Sequence, residues 1–155
     1  MRHLTRGVTP RGIFYGDWWV SQSMKSITRS IFIDAPSWKV FNFLADPESL
    51  TQWAVLSLAP IRGGQERGWR VRTQVGTAVL TLRVHPMFGV VDFHFVEDSQ
   101  RWCLATRVVT DSHQTSEYIV TVFAPVNFGS RLLDRNVALI DRKLERLKGL
   151  MEGRG

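Results

Sequence analysis

The stretch from Ile27 to Trp53, ITRSIFIDAPSWKVFNFLADPESLTQW, constrains the fold more than any other part of the chain, because an alternating segment passes directly into two helix starts. Ile27, Arg29, Ile31 and Ile33 share one side of a period-two pattern, with Thr28 and Ser30 on the other. That is the pattern of a strand with one buried face. Pro36 pre-sets φ for a first helical turn, and Val40, Phe43 and Leu44 recur at helical spacing. A second start follows at once. Asp46 can accept backbone N–H bonds as an N-cap, Pro47 suits the first helical position, and Glu48 suits the positive end of the helix dipole. The segment predicts a strand, a helix and a second short helix.

Between Gly68 and Phe123 the pattern predicts four or five antiparallel strands, with turn residues at Gly63-Gly64, Gly76, Pro86, Asp98-Ser99 and Asp111-Ser112. No helix of ten residues fits between them. A turn centred on Asp98-Ser99 places His94 opposite Cys103 and Phe93 opposite Leu104, and a turn at Pro86-Met87 sets Thr81 beside Asp92 and Leu80 beside Phe93. The two registers agree on parity, and parity decides the faces. One face collects Leu80, Leu82, Val91, Phe93, Phe95, Trp102, Leu104, Thr106, Val108, Tyr118, Val120 and Val122, too much apolar area to leave in water. The other collects Thr81, Arg83, Asp92, His94, Ala105, Arg107 and Glu117, which suits solvent. Further on, Leu133, Val137, Ile140, Leu144, Leu147 and Met151 form one stripe of a long terminal helix. Its expected partner is the large apolar face of the sheet.

The runs Ile33-Asp34-Ala35-Pro36, Val40-Phe41-Asn42-Phe43-Leu44 and Ala45-Asp46-Pro47-Glu48, with Trp53, resemble the opening of the SRPBCC superfamily. This is the helix-grip group shared by polyketide cyclases, lipid-transfer START domains and the birch pollen allergen. The resemblance covers roughly Met24 to Met151, and its motifs are good for fold and poor for function. It implies an α+β fold: a curved antiparallel β-sheet wrapped around a long C-terminal helix, with two short helices after the first strand. It also implies an apolar cavity where the sheet does not close fully on the helix. The expected walls are Trp53, Trp69, Phe93, Phe95, Leu104, Tyr118, Leu133, Val137 and Ile140. Any one of these could instead simply fill the core; as a set they suit an apolar ligand.

Asp92, His94, Arg107 and Glu117 form the sharper constellation, four ionisable groups on neighbouring strands and on one side. A histidine near carboxylates could act as a general base, with Arg107 stabilising a developing enolate in an aldol-type ring closure. The competing reading is a cross-strand salt-bridge ladder on the wet face. It is preferred, because turning these groups inward would turn Phe93, Phe95 and Leu104 outward; a dimer covering that apolar face would reverse the preference. No Gly-rich phosphate loop or nucleophile elbow is present, and His3, His85, His94 and His113 show no metal-ligand spacing with each other or with Cys103. Neither metal nor cofactor is expected. The leading expectation is binding of a hydrophobic small molecule, such as a lipid, polyketide or aromatic compound. One alternative is a polyketide cyclase or dehydratase using His94, Asp92, Arg107 or Tyr118; another is a protein-binding module of the co-chaperone kind. A homodimer is left open.

A chain of 155 residues with 44% apolar content suits one domain, placed at residues 24–155. The single cysteine, Cys103, permits no disulfide within the chain and points to a reducing, cytoplasmic setting. Seven basic residues lie between Arg131 and Arg154, within a net charge of +6. Four acids are interspersed among them, so they read as a solvated helix face and no nucleic-acid partner is expected. In residues 1–23, Gly16 and Asp17 interrupt the apolar run before Trp18-Trp19-Val20, so neither a secretory segment nor a membrane span is expected. That segment is either an ordered arm packed on the domain or a mis-assigned start, with Met24 as the working one.

Overall fold

The computed structural model describes residues 24–63, 67–74, 76–98, 100–125 and 130–154. Both readings of residues 1–23 therefore lie outside the described residues. Seven strands form one curved antiparallel sheet: β1 (Met24–Ile33), β2 (Ser57–Pro60), β3 (Trp69–Arg72), β4 (Thr77–His85), β5 (Val90–Glu97), β6 (Gln100–Thr110) and β7 (Ser116–Pro125). Their spatial order is β1-β7-β6-β5-β4-β3-β2, so the first strand pairs with the last and the rest meander. Helices α1 (Ser37–Ala45) and α2 (Leu50–Trp53) follow β1, and α3 (Ser130–Met151) follows β7.

The first strand alternates as its sequence predicts: Ile33 is fully buried and Ile31 packs on the core, while Thr28 and Ser30 are exposed. Pro36 sits one place earlier than expected. It is the N-cap residue of α1, with φ −60° and an extended ψ, and its carbonyl accepts from the N–H groups of Lys39 and Val40. Asp46 caps the second start as expected, its carboxylate accepting the Glu48 N–H at 3.0 Å. A 3₁₀ turn, Pro47–Ser49, then runs into α2. Ser49 is buried, and its hydroxyl donates to the carbonyls of Phe43 and Asp46, which locks α2 against α1.

Register agrees with the sequence at the β5–β6 turn, where Phe93 faces Leu104 and His94 faces Cys103. At the β4–β5 turn it differs by two residues: Thr81 faces His94, Leu80 faces Phe95 and Asp92 faces Arg83. The cause is a longer connection, a 3₁₀ turn Pro86–Phe88 closed by Gly89 at φ 65°. A Cβ at Gly89 would meet the Val108 carbonyl oxygen at 2.3 Å, so the position needs glycine twice over. Because the shift is even, the faces are unchanged. Strand β2 was not legible. It has four residues, lies at the sheet edge and ends on Pro60, too short for alternation to register.

Val137, Ile140, Leu144, Leu147 and Met151 of α3 are all buried, and all but Val137 share one core cluster with Phe93, Phe95, Tyr118, Val120 and Val122 of the sheet. Leu133 belongs to the same helix, and its side chain lies outside the described residues. Among the described residues no helix is long and apolar enough to cross a membrane.

Candidate functional site

An apolar chamber of about 60 Å³ lies between the concave face of the sheet, α2 and α3. Six of the nine expected walls meet there: Trp53 from α2, Phe93 and Phe95 from β5, Leu104 from β6, Tyr118 from β7 and Ile140 from α3. Trp69 and Val137 are not part of its lining; Trp69 packs against the core from β3. Trp102, which the sequence places on the correct face but not in the wall, is a main component. Its ring stacks on Phe95, directly opposite in register, with centroids 3.9 Å apart and planes 7° from parallel. The indole Nε1 groups of Trp53 and Trp102 are buried without a hydrogen-bond acceptor among the described residues.

A vestibule of about 230 Å³ adjoins the chamber beside α2 and α3, with Trp53, Ala54, Val55, Gln74, Leu139 and Lys143 common to both. Arg142 and Arg146 stand on its outer side. Chamber and vestibule together approach the lower end of small-molecule sites, roughly 300 Å³. Burial holds the Lys143 ammonium below the ordinary lysine range. No pattern in the chain marks this lysine as a site residue, since a cation beside an apolar helix stripe ordinarily extends its head to water.

Tyr118 lies at the chamber floor and is 1% exposed. Burial pushes its phenol far above the ordinary tyrosine value, against the opposing effect of a hydrogen bond with Thr106. The Thr106 hydroxyl in turn donates to the Val91 carbonyl. Such a phenol serves as a fixed polar point in an apolar wall and is a poor proton donor to solvent at neutral pH.

The four candidate catalytic residues lie on the other face. Phe93 and Phe95 point into the chamber, so Asp92 and His94, alternating with them on β5, point away. The Asp92 carboxylate accepts the Thr106 backbone N–H at 2.9 Å, taking a ladder carbonyl's place between β5 and β6. Arg107 is exposed and its Nε–H donates to the Phe88 carbonyl at 3.2 Å. Glu117 pairs with Val109 in β6 and Phe32 in β1, while Arg107 pairs with Ile119, so those two charges are offset by two residues. Burial, helped by the Arg83 charge and opposed by Asp92, lowers the His94 pKa, and its imidazole favours the neutral form. Burial and the Asp92 charge, opposed by Arg83, push the neighbouring Cys103 thiol up to about 12. Among the described residues no group of three or more His, Cys, Asp or Glu side chains is placed to hold a metal.

No model of a known protein family matches the chain, and no curated protein matches it. Solved structures do. The Zhui aromatase/cyclase from Streptomyces sp. R1128 is 16% identical with a TM-score of 0.68, over 85% of this chain and 96% of that one. A START superfamily protein from Mycobacterium smegmatis is 11% identical with a TM-score of 0.63, over 84% and 99%. The Aha1 dimer from Colwellia psychrerythraea is 16% identical with a TM-score of 0.65, over 84% and 99%. The chain has the helix-grip fold.

Proposed function

We propose that this protein binds a hydrophobic small molecule in the chamber between sheet and α3, without converting it, in a cytoplasmic setting that the single cysteine suits. One observation carries the reading. The chamber wall is apolar except at its edges, and its ionisable members are the phenol of Tyr118 and the ammonium of Lys143. An aldol-type ring closure needs a base titrating near neutrality within hydrogen-bond reach of the substrate. Tyr118 is held protonated, and His94 stands on the opposite face of the sheet. Binding needs only what the wall supplies: flat aromatic surface and a few polar points.

Trp53→Ala tests the site. Trp53 is 8% exposed and lines both chamber and vestibule, so its removal should weaken the apolar fluorophore N-phenyl-1-naphthylamine proportionally more than it lowers stability in urea. Equal probe binding by variant and parent would remove Trp53 from the site.

A further inference from the structure

The vestibule carries three cations and, among the described residues, no anion to match them. Arg142, Lys143 and Arg146 all line it, and no carboxylate does. The acids of the same helix are committed or exposed: Asp141 accepts from Arg29 at 3.1 Å, and Asp134 and Glu145 are exposed. Arg142 and Arg146 are one helical turn apart, a spacing at which like charges repel. Among the described residues the Arg142 side chain bonds only back to the Ala138 carbonyl of its own helix, at 3.5 Å. Lys143 is the most exposed to this imbalance, because it reaches the chamber as well as the vestibule and is half-buried. An ammonium withdrawn from water without a counter-charge is costly, and an arriving anion removes that cost. Trp53 lines the same two cavities, and its buried indole N–H has no acceptor among the described residues.

We propose that the ligand is an amphipathic organic anion, with an apolar body in the chamber against Phe95 and Trp102 and a single acid group at the mouth, paired with Lys143 and flanked by Arg142 and Arg146. This rests on the chamber being the ligand site. A neutral apolar ligand would seal Lys143 away from water with no partner. A cationic one would meet three like charges. A multiply charged, polar ligand such as a nucleotide would gain nothing from the aromatic walls. The acid group also supplies an acceptor for the Trp53 N–H. The depressed lysine pKa agrees with this arrangement, since an ammonium that lacks a partner loses its proton more readily and a bound anion restores it.

Two fluorophores with the same naphthyl and phenyl groups decide the matter: 1-anilinonaphthalene-8-sulfonate, which carries an acid group, and N-phenyl-1-naphthylamine, which does not. The quantity read is the ratio of their affinities. Lys143→Met should lower that ratio about tenfold, the worth of one charge-assisted hydrogen bond, while the neutral probe serves as the control for a folded chamber. Arg146→Gln should lower it by less, since Arg146 is exposed. In the parent, added sodium chloride should weaken the sulfonate and leave the neutral probe unchanged. If Lys143→Met leaves the ratio unaltered while both probes bind, the anion assignment is overturned and the chamber reading stands. If neither probe binds the parent, both fall. Should Lys143→Met not fold, the salt response of the parent decides alone, and equal insensitivity of both probes would overturn the assignment.

Discussion

His94 sits between two chamber walls on β5 yet faces the other way, and its surroundings make it a load on the fold at low pH. Burial and the Arg83 charge lower its pKa from the ordinary 6.5, so the unfolded chain takes up a proton in a range where the folded chain does not. Wherever the unfolded state binds more protons, stability rises with pH. Stability should therefore fall as pH drops through about 6.5 toward the depressed folded value, and level off below it. His94→Gln should flatten that part of the profile. Urea midpoints of parent and variant across the acid range give the check, and parallel profiles would show that His94 carries no linked proton. Parity in the sequence was enough to turn His94, Asp92, Arg107 and Glu117 away from Phe93 and Phe95. Residue roles were less legible. That Asp92 replaces a ladder carbonyl for Thr106 depends on strands meeting closely between turns, which no local pattern reports. Lys143 was hidden for a related reason: it shares its cavity with Thr51, Gln52 and Trp53 of α2, residues about ninety positions away in the chain.

At the level of elements, the grip of the sheet on α3 was legible because six apolar residues at helical spacing and eleven on one face of the sheet leave few other ways to leave water. Leu147 is fully buried in that contact and does not line the chamber, so it reports on packing alone. Leu147→Ala should cost about 2 to 5 kcal/mol in denaturant unfolding and leave the probe affinity unchanged. A cost below about 1 kcal/mol would mean that α3 holds the sheet more loosely than its burial indicates. The end of α3 carries a device invisible in the stripe. Glu152 accepts the Asp34 N–H at 2.8 Å and the Lys148 ammonium at 2.7 Å, and Lys39 donates to the Met151 carbonyl at 2.9 Å. These bonds pin the helix terminus to the junction of β1 and α1. The bonds from Asp34 and Lys39 join residues more than a hundred positions apart, and a sequence read by periodicity contains no trace of those two.

Over the whole molecule, the sheet separates two sets of groups: one face holds the chamber, and the other holds the four ionisable residues that ring-closing chemistry would call on. The likeness to the Zhui aromatase/cyclase bears on fold alone at 16% identity, so the arrangement of groups must decide between holding and converting a ligand. The double substitution Asp92→Asn with His94→Gln puts that separation to the test. Asparagine keeps an oxygen for the Thr106 N–H, so the loss should be no more than about 1 to 2 kcal/mol, the difference between a charged and a neutral hydrogen bond. N-phenyl-1-naphthylamine should bind the double variant as it binds the parent, since neither side chain lines the chamber. Neither protein should turn over a cyclisable polyketide. If the parent does so, and the double variant loses about a hundredfold or more, the usual share of general acid–base catalysis, then these groups reach the ligand after all. That result would replace binding with catalysis as the work of this fold.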